Sequence, residues 1–187
     1  MGKYAYLIIA NRNPNQLNLL LNTLDDSRND IYLLIDKKSI NKFHNIFKPI
    51  YSSLYVVDPI NIFWGNSLVD AELRLFSSSL NGNYDYYHLL SGLDLPLVNQ
   101  DVIHNFFDEH INKEFITYSA ALSSSQLSSR LHRYHFTNTF RTRNPFMKYY
   151  HKLEDKIYDN LPQHRISTKK IGFGSEWVSL DNSLVSD

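Results

Sequence analysis

"YAYLIIANRNPNQLNLLLNTLDDSRNDIYLLID", residues 4–36, decides the fold. Its first seven residues, "YAYLIIA", are continuously apolar rather than alternating, the pattern of a strand buried on both faces. In the next stretch Asn13 is placed to cap a helix, Pro14 to occupy its first position, and Gln16 to act as capping-box partner. Leu17, Leu20, Leu21 and Leu24 then recur at i, i+3, i+4 and i+7, giving one apolar helical face. "DDSRND" (25–30) breaks the helix, and "IYLLI" (31–35) is a second buried strand that ends on Asp36.

Working outward, "SLYVVD" (53–58) is a third strand. "WGNSLVDAELRLFSSSL" (64–80) is a helix with Ser67 as N-cap, Asp70 three residues on, and a stripe of Leu68, Ala71, Leu75 and Phe76. After the turn signal "NGNYD" (81–85) comes a fourth strand, "YYHLL" (86–90). A helix in "QDVIHNFFDEH" (100–110) is expected to pack through Ile103, Phe106 and Phe107, and "EFITYS" (114–119) is a fifth strand. Strands and helices alternating at these intervals imply parallel strands with crossover helices, an α/β sandwich of Rossmann-like character with a mostly parallel central sheet.

The rest of the chain is less regular. "SAALSSSQLSSR" (119–130) reads as a mobile serine-rich loop. "PFMKYYHKLEDKIYDNL" (145–161) is helical, with Phe146, Tyr149, Tyr150, Leu153 and Ile157 on a core-facing stripe. "IGFGSEWVSLDNSLVSD" (171–187) reads as a glycine turn, a strand, and a helix opening at Asp181 to Val185. That helix stops after about one turn, too short to stand alone. A fragment, or a chain shortened relative to its relatives, is therefore expected.

With 187 residues, 43% of them hydrophobic, the chain suits one domain with a real core. Nineteen basic residues balance nineteen acidic ones, so no global field favours nucleic acid or an anionic membrane. Cysteine is absent, which excludes disulfides, thiolate zinc sites and cysteine nucleophiles. The apolar run at residues 4–10 is too short to span a bilayer and lacks a cleavage pattern. A soluble, cytoplasmic chain is expected.

In open parallel sheets, ligands bind beyond the carboxyl ends of the strands. Asp36 ends the second strand and Asp94 follows the fourth, so both belong at that edge, with strands one and four as the central pair. Ser91-Gly92 would let backbone approach a ligand closely, and Asp94 could accept from a ribose or sugar hydroxyl. Alternatively, Asp94 caps a turn before Pro96 and Asp36 starts the turn "DKKS". Two acids at one edge favour ligand binding. "IIANRNPNQ" carries neither glycine-rich phosphate motif, so a dinucleotide or P-loop reading has no support. A D-x-D metal motif is also missing, and a lone carboxylate makes a poor divalent site.

The segments 6–39, 64–107 and "GFGSEWVSL" (172–180) together resemble the core-2/I-branching β-1,6-N-acetylglucosaminyltransferase family, which includes the peptide O-xylosyltransferases. The likeness runs over about residues 4–118, resumes near Arg130 to Tyr134, and returns at Gly174 to Leu180. It is greatest to the bacterial members, mostly regarded as glycosyltransferases of capsule or exopolysaccharide synthesis.

The resemblance implies a single GT-A domain over 1–187, with 1–118 as the nucleotide-sugar half and 119–187 as part of the acceptor half. It implies an inverting transfer of N-acetylglucosamine or xylose from a UDP-sugar to a glycan or lipid-linked hydroxyl acceptor. Neither a metal nor another cofactor would be needed, and peripheral membrane association would come through the acceptor. Asp36, Trp64, Gly65, Ser67, Ser91, Gly92 and Asp94 would then lie on the donor side, with Glu72 in the bordering segment. Arg130, Ser175, Glu176 and Trp177 would lie on the acceptor side. An inverting transfer needs a carboxylate base and positive charge for the departing diphosphate. The resemblance puts both on segments beyond Asp187, leaving Glu176 as the stand-in base within these residues. The alternative is a non-catalytic protein that binds nucleotide-sugar or carbohydrate.

Two other constellations stand out in the sequence. "RLHRYHFTNTFRTRNPFMK" (130–148) mixes arginines with aromatics, a composition that suits nucleic acid. The remaining chain is correspondingly acidic, however, and no known motif accompanies the stretch. A solvated basic segment, or one facing an anionic donor or acceptor, is the expected role. His132 and His135 have metal-ligand spacing but no third ligand nearby, so they are read as surface histidines.

Overall fold

The computed structural model describes residues 2–63, 66–118 and 174–187, with residues 146, 149, 150, 152, 153, 156 and 157. The expected serine-rich loop, the basic stretch up to Pro145, His132 and His135 lie outside the described residues.

β1 (Tyr4–Ala10) and β2 (Asn29–Ile35) pair in parallel from Tyr4 opposite Asn29 to Ala10 opposite Ile35. Between them runs α1 (Pro14–Thr23), which buries Leu17, Leu20 and Leu21. Its start matches the sequence reading: the Asn13 side chain accepts from the Gln16 backbone N–H at 3.3 Å. Gln16 does not close a capping box. Its side-chain amide instead donates to the Leu93 carbonyl at 3.4 Å, tying the helix start to the turn after the fourth strand.

β2 begins at Asn29, inside the expected helix breaker, because the polar residues there are buried with partners. Asp30 meets Lys3 Nζ at 2.7 Å and the Tyr84 hydroxyl at 2.7 Å. A 3₁₀ turn at Lys37–Lys42 leads on to β3 (Ser53–Val57), parallel to β2. α2 (Asn66–Ser79) returns over the sheet, and β4 (Tyr86–Ser91) pairs in parallel with β1. Ser67 is not the N-cap of α2; it lies inside the helix, and its Oγ donates back to the Phe63 carbonyl at 3.0 Å.

α3 (Gln100–Asp108), β5 (Phe115–Tyr118), β6 (Gly174–Asp181) and a short α4 (Asn182–Ser186) follow. The strand order is β3-β2-β1-β4-β6-β5, with β1 and β4 at the centre as expected. β6 runs antiparallel to both of its neighbours, so five strands share one direction and β6 alone is reversed. α1 and α3 cover one face of the sheet, packing on Tyr4, Tyr6, Ile8, Ile31 and Leu33, and α2 covers the other over Ala5, Leu7 and Leu34. This is an α/β, Rossmann-like architecture with a mostly parallel sheet.

Two expected packing faces need correction. In α3, Phe107 packs on the core, but Phe106 is 44% exposed, and the fully inward residues are Gln100 and His104. They join a polar network beneath the sheet. Asn29 donates to the Gln100 side-chain oxygen and the Leu24 carbonyl, both at 2.9 Å, and its own oxygen meets His104 Nε2 at 2.9 Å. Since Asn29 Oδ1 can only accept, His104 carries its proton on Nε2. Periodicity ranks residues by polarity and misses such satisfied partners. Likewise Phe146, Tyr149, Tyr150, Leu153 and Ile157 are helical but exposed, not core. A stripe at helical spacing says which residues share a face, not what covers them.

His88 is the other buried imidazole. Its Nδ1 meets Ser179 Oγ at 2.9 Å across the β4–β6 pair, while Nε2 has no partner among the described residues. Tyr4, Tyr6, Tyr86 and Phe107 surround the ring. Burial, with a smaller effect of His104, holds its pKa down at about 3. The unfolded chain protonates this group near pH 6.5, the native chain only near 3, so stability is lost as the pH falls through that window. In urea titrations from pH 6 to 4.5 the parent is expected to lose about 1.4 kcal/mol per pH unit relative to His88→Phe, a comparison in which the opposite trends of other groups cancel. A parent–variant difference that stays constant with pH would remove His88 from the account.

Candidate functional site at the carboxyl edge of the sheet

Five strands point their carboxyl ends to one edge, and the reversed β6 starts there. At this edge lies a cavity of about 430 Å³. Ile9, Asn11 and Arg12 supply its wall from the end of β1, Lys38 from the turn after β2, and Ser91 and Leu93 from the turn after β4. Ile62, Phe63 and Leu68 come from the approach to α2 and its first turn. Glu176 and Trp177, near the start of β6, close the far side. The volume falls within the usual range for small-molecule sites, roughly 300–1,000 Å³.

Lys38 is the most firmly held cation of this wall. Its ammonium lies 3.7 Å from the centre of the Phe63 ring, 3.5 Å from Asp36 Oδ2, and in a short hydrogen bond to the Ile62 carbonyl. Asp36 acts from behind. It is 5% exposed, its Oδ1 accepts from the Lys38 and Ile62 N–H groups at 3.3 and 3.1 Å, and it does not line the cavity. Asp94 is similar. Its Oδ2 accepts from the Ser91 N–H at 2.7 Å, closing the turn after β4, and it is not among the residues that line the cavity.

Both acids therefore sit at the expected edge, but at the level of bonds they close turns. Gly92 also differs from expectation: its close approach is to its own chain. A β-carbon there would lie 3.0 Å from the Ala10 β-carbon and 3.4 Å from Leu17 Cδ1, while the Gly92 N–H continues the ladder to the Ile9 carbonyl at 2.9 Å.

Of the residues expected from sequence, Ser91, Glu176 and Trp177 are brought together in the cavity. Ser67 lines a neighbouring groove instead, and Ser175, whose Oγ accepts from the Trp177 N–H at 3.2 Å, stands outside the wall. Trp64, Gly65 and Arg130 lie outside the described residues. Sequence reasoning missed Asn11, Arg12, Lys38 and Phe63. The signal was available for three of them: Asn11 and Arg12 directly follow β1, and Lys38 lies two residues past the end of β2, at the edge where ligands bind.

Glu72, one helical turn beyond Leu68, faces Glu176. Burial first, and the Glu176 charge second, raise its pKa to about 7. Among the described residues no group of three or more acidic or histidine side chains could hold a metal ion.

Two measurements follow. Gly92→Val is expected to overpack the β1–β4 junction, costing about 1–3 kcal/mol in urea unfolding. For Glu72, the native group keeps a proton that the unfolded chain loses near pH 4.5, so its contribution falls as the pH rises from about 4.5 to 7. The urea midpoint of the parent chain should therefore drop relative to Glu72→Gln across that window and level off above it.

No curated protein matches this chain. Residues 4–187 match the family model described as Core-2/I-Branching enzyme, and the chain belongs to that family of glycosyltransferases.

Proposed function

We propose that the cavity binds the diphosphate portion of a UDP-sugar and presents the sugar to a hydroxyl acceptor entering past Glu176 and Trp177. The observation that carries this reading is Lys38, fixed against Phe63, Ile62 and Asp36 on the wall opposite β6. Arg12 lies on the same wall. A leaving nucleoside diphosphate accumulates negative charge as the glycosidic bond breaks, and preorganised cations are what stabilise it where no metal does so. Asp36 and Asp94 take a supporting part. Asp36 holds the Lys38 turn and the Ile62 segment in place, and Asp94 shapes the turn that carries Ser91.

Phe63 and Trp177 give the cavity aromatic surfaces for a base or a sugar ring. Ser67, Trp64 and Gly65 belong to the donor side of this reading, and Gly92 serves it by packing β4 against β1. Arg130 and Ser175 belong to the acceptor side with Glu176 and Trp177. Glu176 is the one carboxylate among the described lining residues, and it is positioned to accept hydrogen bonds from acceptor hydroxyls. Transfer would invert the anomeric carbon without a metal, moving N-acetylglucosamine or xylose to a glycan or lipid-linked acceptor, as in bacterial surface polysaccharide synthesis. No helix among the described residues is long and apolar enough to cross a membrane.

Calorimetry with UDP in the presence of EDTA tests the donor half. Binding is expected without metal, and Lys38→Ala should weaken it about 10- to 100-fold, the worth of one charge-assisted hydrogen bond. Binding that required a divalent ion, or that Lys38→Ala left untouched, would overturn the reading.

A further inference from the structure

The two ends of the sheet differ. At one end, β5 pairs with β6 through a register shift between Ile116 and Tyr118. Breaks of that kind blunt an edge against pairing with another chain. β3, at the other end, has no such protection. "SLYVV" (53–57) carries no charge and no proline, and it runs in unbroken register with β2. Among the described residues β2 is its only partner strand, so about half of its N–H and C=O groups face outward unpaired.

The surface beside β3 matches it. A concavity of about 990 Å³ runs between β3 and α2. Val57 and Ile60, which also pack on the core, line it, together with Val56 on the strand and Leu73 on the helix. Val56 is 62% and Leu73 59% exposed. The exposed ring of Tyr55 is held by stacking at 4.8 Å on buried Tyr32, so it has little freedom left to lose on contact. Asp58, Asp70 and Arg74 are exposed in the same lining. None has an ion-pair partner among the described residues, although Asp70 and Arg74 are four apart on one helix. Apolar side chains ringed by charge are the make-up of a protein–protein contact.

We propose that β3 and this flank of α2 pair with the same elements of a second copy of the chain, joining two six-stranded sheets edge to edge about a two-fold axis.

The charges pick the occupant. A two-fold axis perpendicular to the sheet sets the two β3 strands antiparallel and puts both α2 helices on one face, flank against flank. A lining that holds both signs can answer itself, because Arg74 of each copy can meet a carboxylate of the other. A strongly acidic or basic partner would leave one sign unanswered. The strand, being uncharged, brings no like charges opposite each other. Nineteen basic residues balance nineteen acidic ones, so two copies do not repel each other at long range. The contact lies at the end of the sheet away from β6, which leaves the entry past Glu176 and Trp177 open.

Sedimentation velocity on the full 187-residue chain should show the 21.9 kDa monomer giving way to a dimer between about 1 and 200 µM, the weak end of the range for an interface of about 1,600 Å². Hydrogen exchange at the amides of residues 53–57 should slow as the concentration rises. Val56→Lys, which installs the charge that natural edges carry, and Leu73→Glu should each weaken the dimer about tenfold or more. Both side chains are exposed in the single chain, so the urea midpoint of the dilute variants should match the parent's. Leu97→Glu removes the most exposed apolar side chain outside the groove and should leave the dimer intact.

A chain still monomeric at about 200 µM would overturn the proposal. So would a dimer that survives both substitutions, one that Leu97→Glu dissolves, or one whose 53–57 amides exchange no more slowly than in the monomer. Should either variant unfold, the exchange measurement on the parent decides.

Discussion

β4 is paired in parallel with β1 on one edge and antiparallel with β6 on the other, and the site depends on that reversal. Parallel strands end together, so they can deliver to one edge only the turns that follow them. A strand that begins there must run the opposite way. β6 does so, and Glu176 and Trp177, near its start, stand beside the turn of Ser91 rather than about 17 Å away at the other end of the sheet. The register is pinned by side chains as well as backbone. His88 and Ser179 face each other in the ladder and are hydrogen-bonded at 2.9 Å. A slip of one residue would break that bond and turn Glu176 to the opposite face.

The edge opposite the site supplies the rigidity. Tyr4 stacks on His104 at 4.1 Å, its hydroxyl meets Asp108 at 2.9 Å, and Gln100 links Asn29 to the Thr23 carbonyl at the end of α1. The network joins β1, β2, α1 and α3 in one set of buried hydrogen bonds. Such groups add little net stability when satisfied and cost much when stripped of a partner, so they specify one arrangement more than they deepen it. The cavity walls are loops, but each leaves a strand whose other end is fixed in this way.

Much of the architecture was legible because β1, β2 and β4 are buried on both faces and read as unbroken apolar runs. The helix signals at Asn13 and Pro14 were equally direct. What escaped the reading was buried polarity. Asn29 and Asp30 looked like a break in the chain and are strand residues, while Gln100 and His104 looked like a solvent face and are interior. In each case the partner is tens of residues distant, and no local pattern announces it. The edge rule pointed to the edge where the cavity lies, but the charged residues that line it there are not Asp36 and Asp94. The acids carry the stronger ligand signal by residue type, whereas Asn11, Arg12 and Lys38 sit in stretches whose composition reads as ordinary loop.

There is a physical reason for that division of roles. A turn leaving a parallel strand exposes backbone N–H groups that no neighbouring strand can satisfy, and a short carboxylate is the side chain best suited to accept from them. Asp36 does so through Oδ1 and Asp94 through Oδ2. The charged residues that line the cavity are Arg12 and Lys38 on one side and Glu176 on the other, and Glu72, outside the lining, is near enough to Glu176 to feel its charge. Asp36 partly neutralises Lys38 at 3.5 Å. If both glutamates were ionised, the cavity would offer an anion almost no net attraction. With the Glu72 pKa at about 7, that carboxyl is about half protonated at neutral pH. A proton on Glu72 removes negative charge from beside Glu176 and makes the cavity less repulsive to an anion, which is the direction that the proposed diphosphate reading needs.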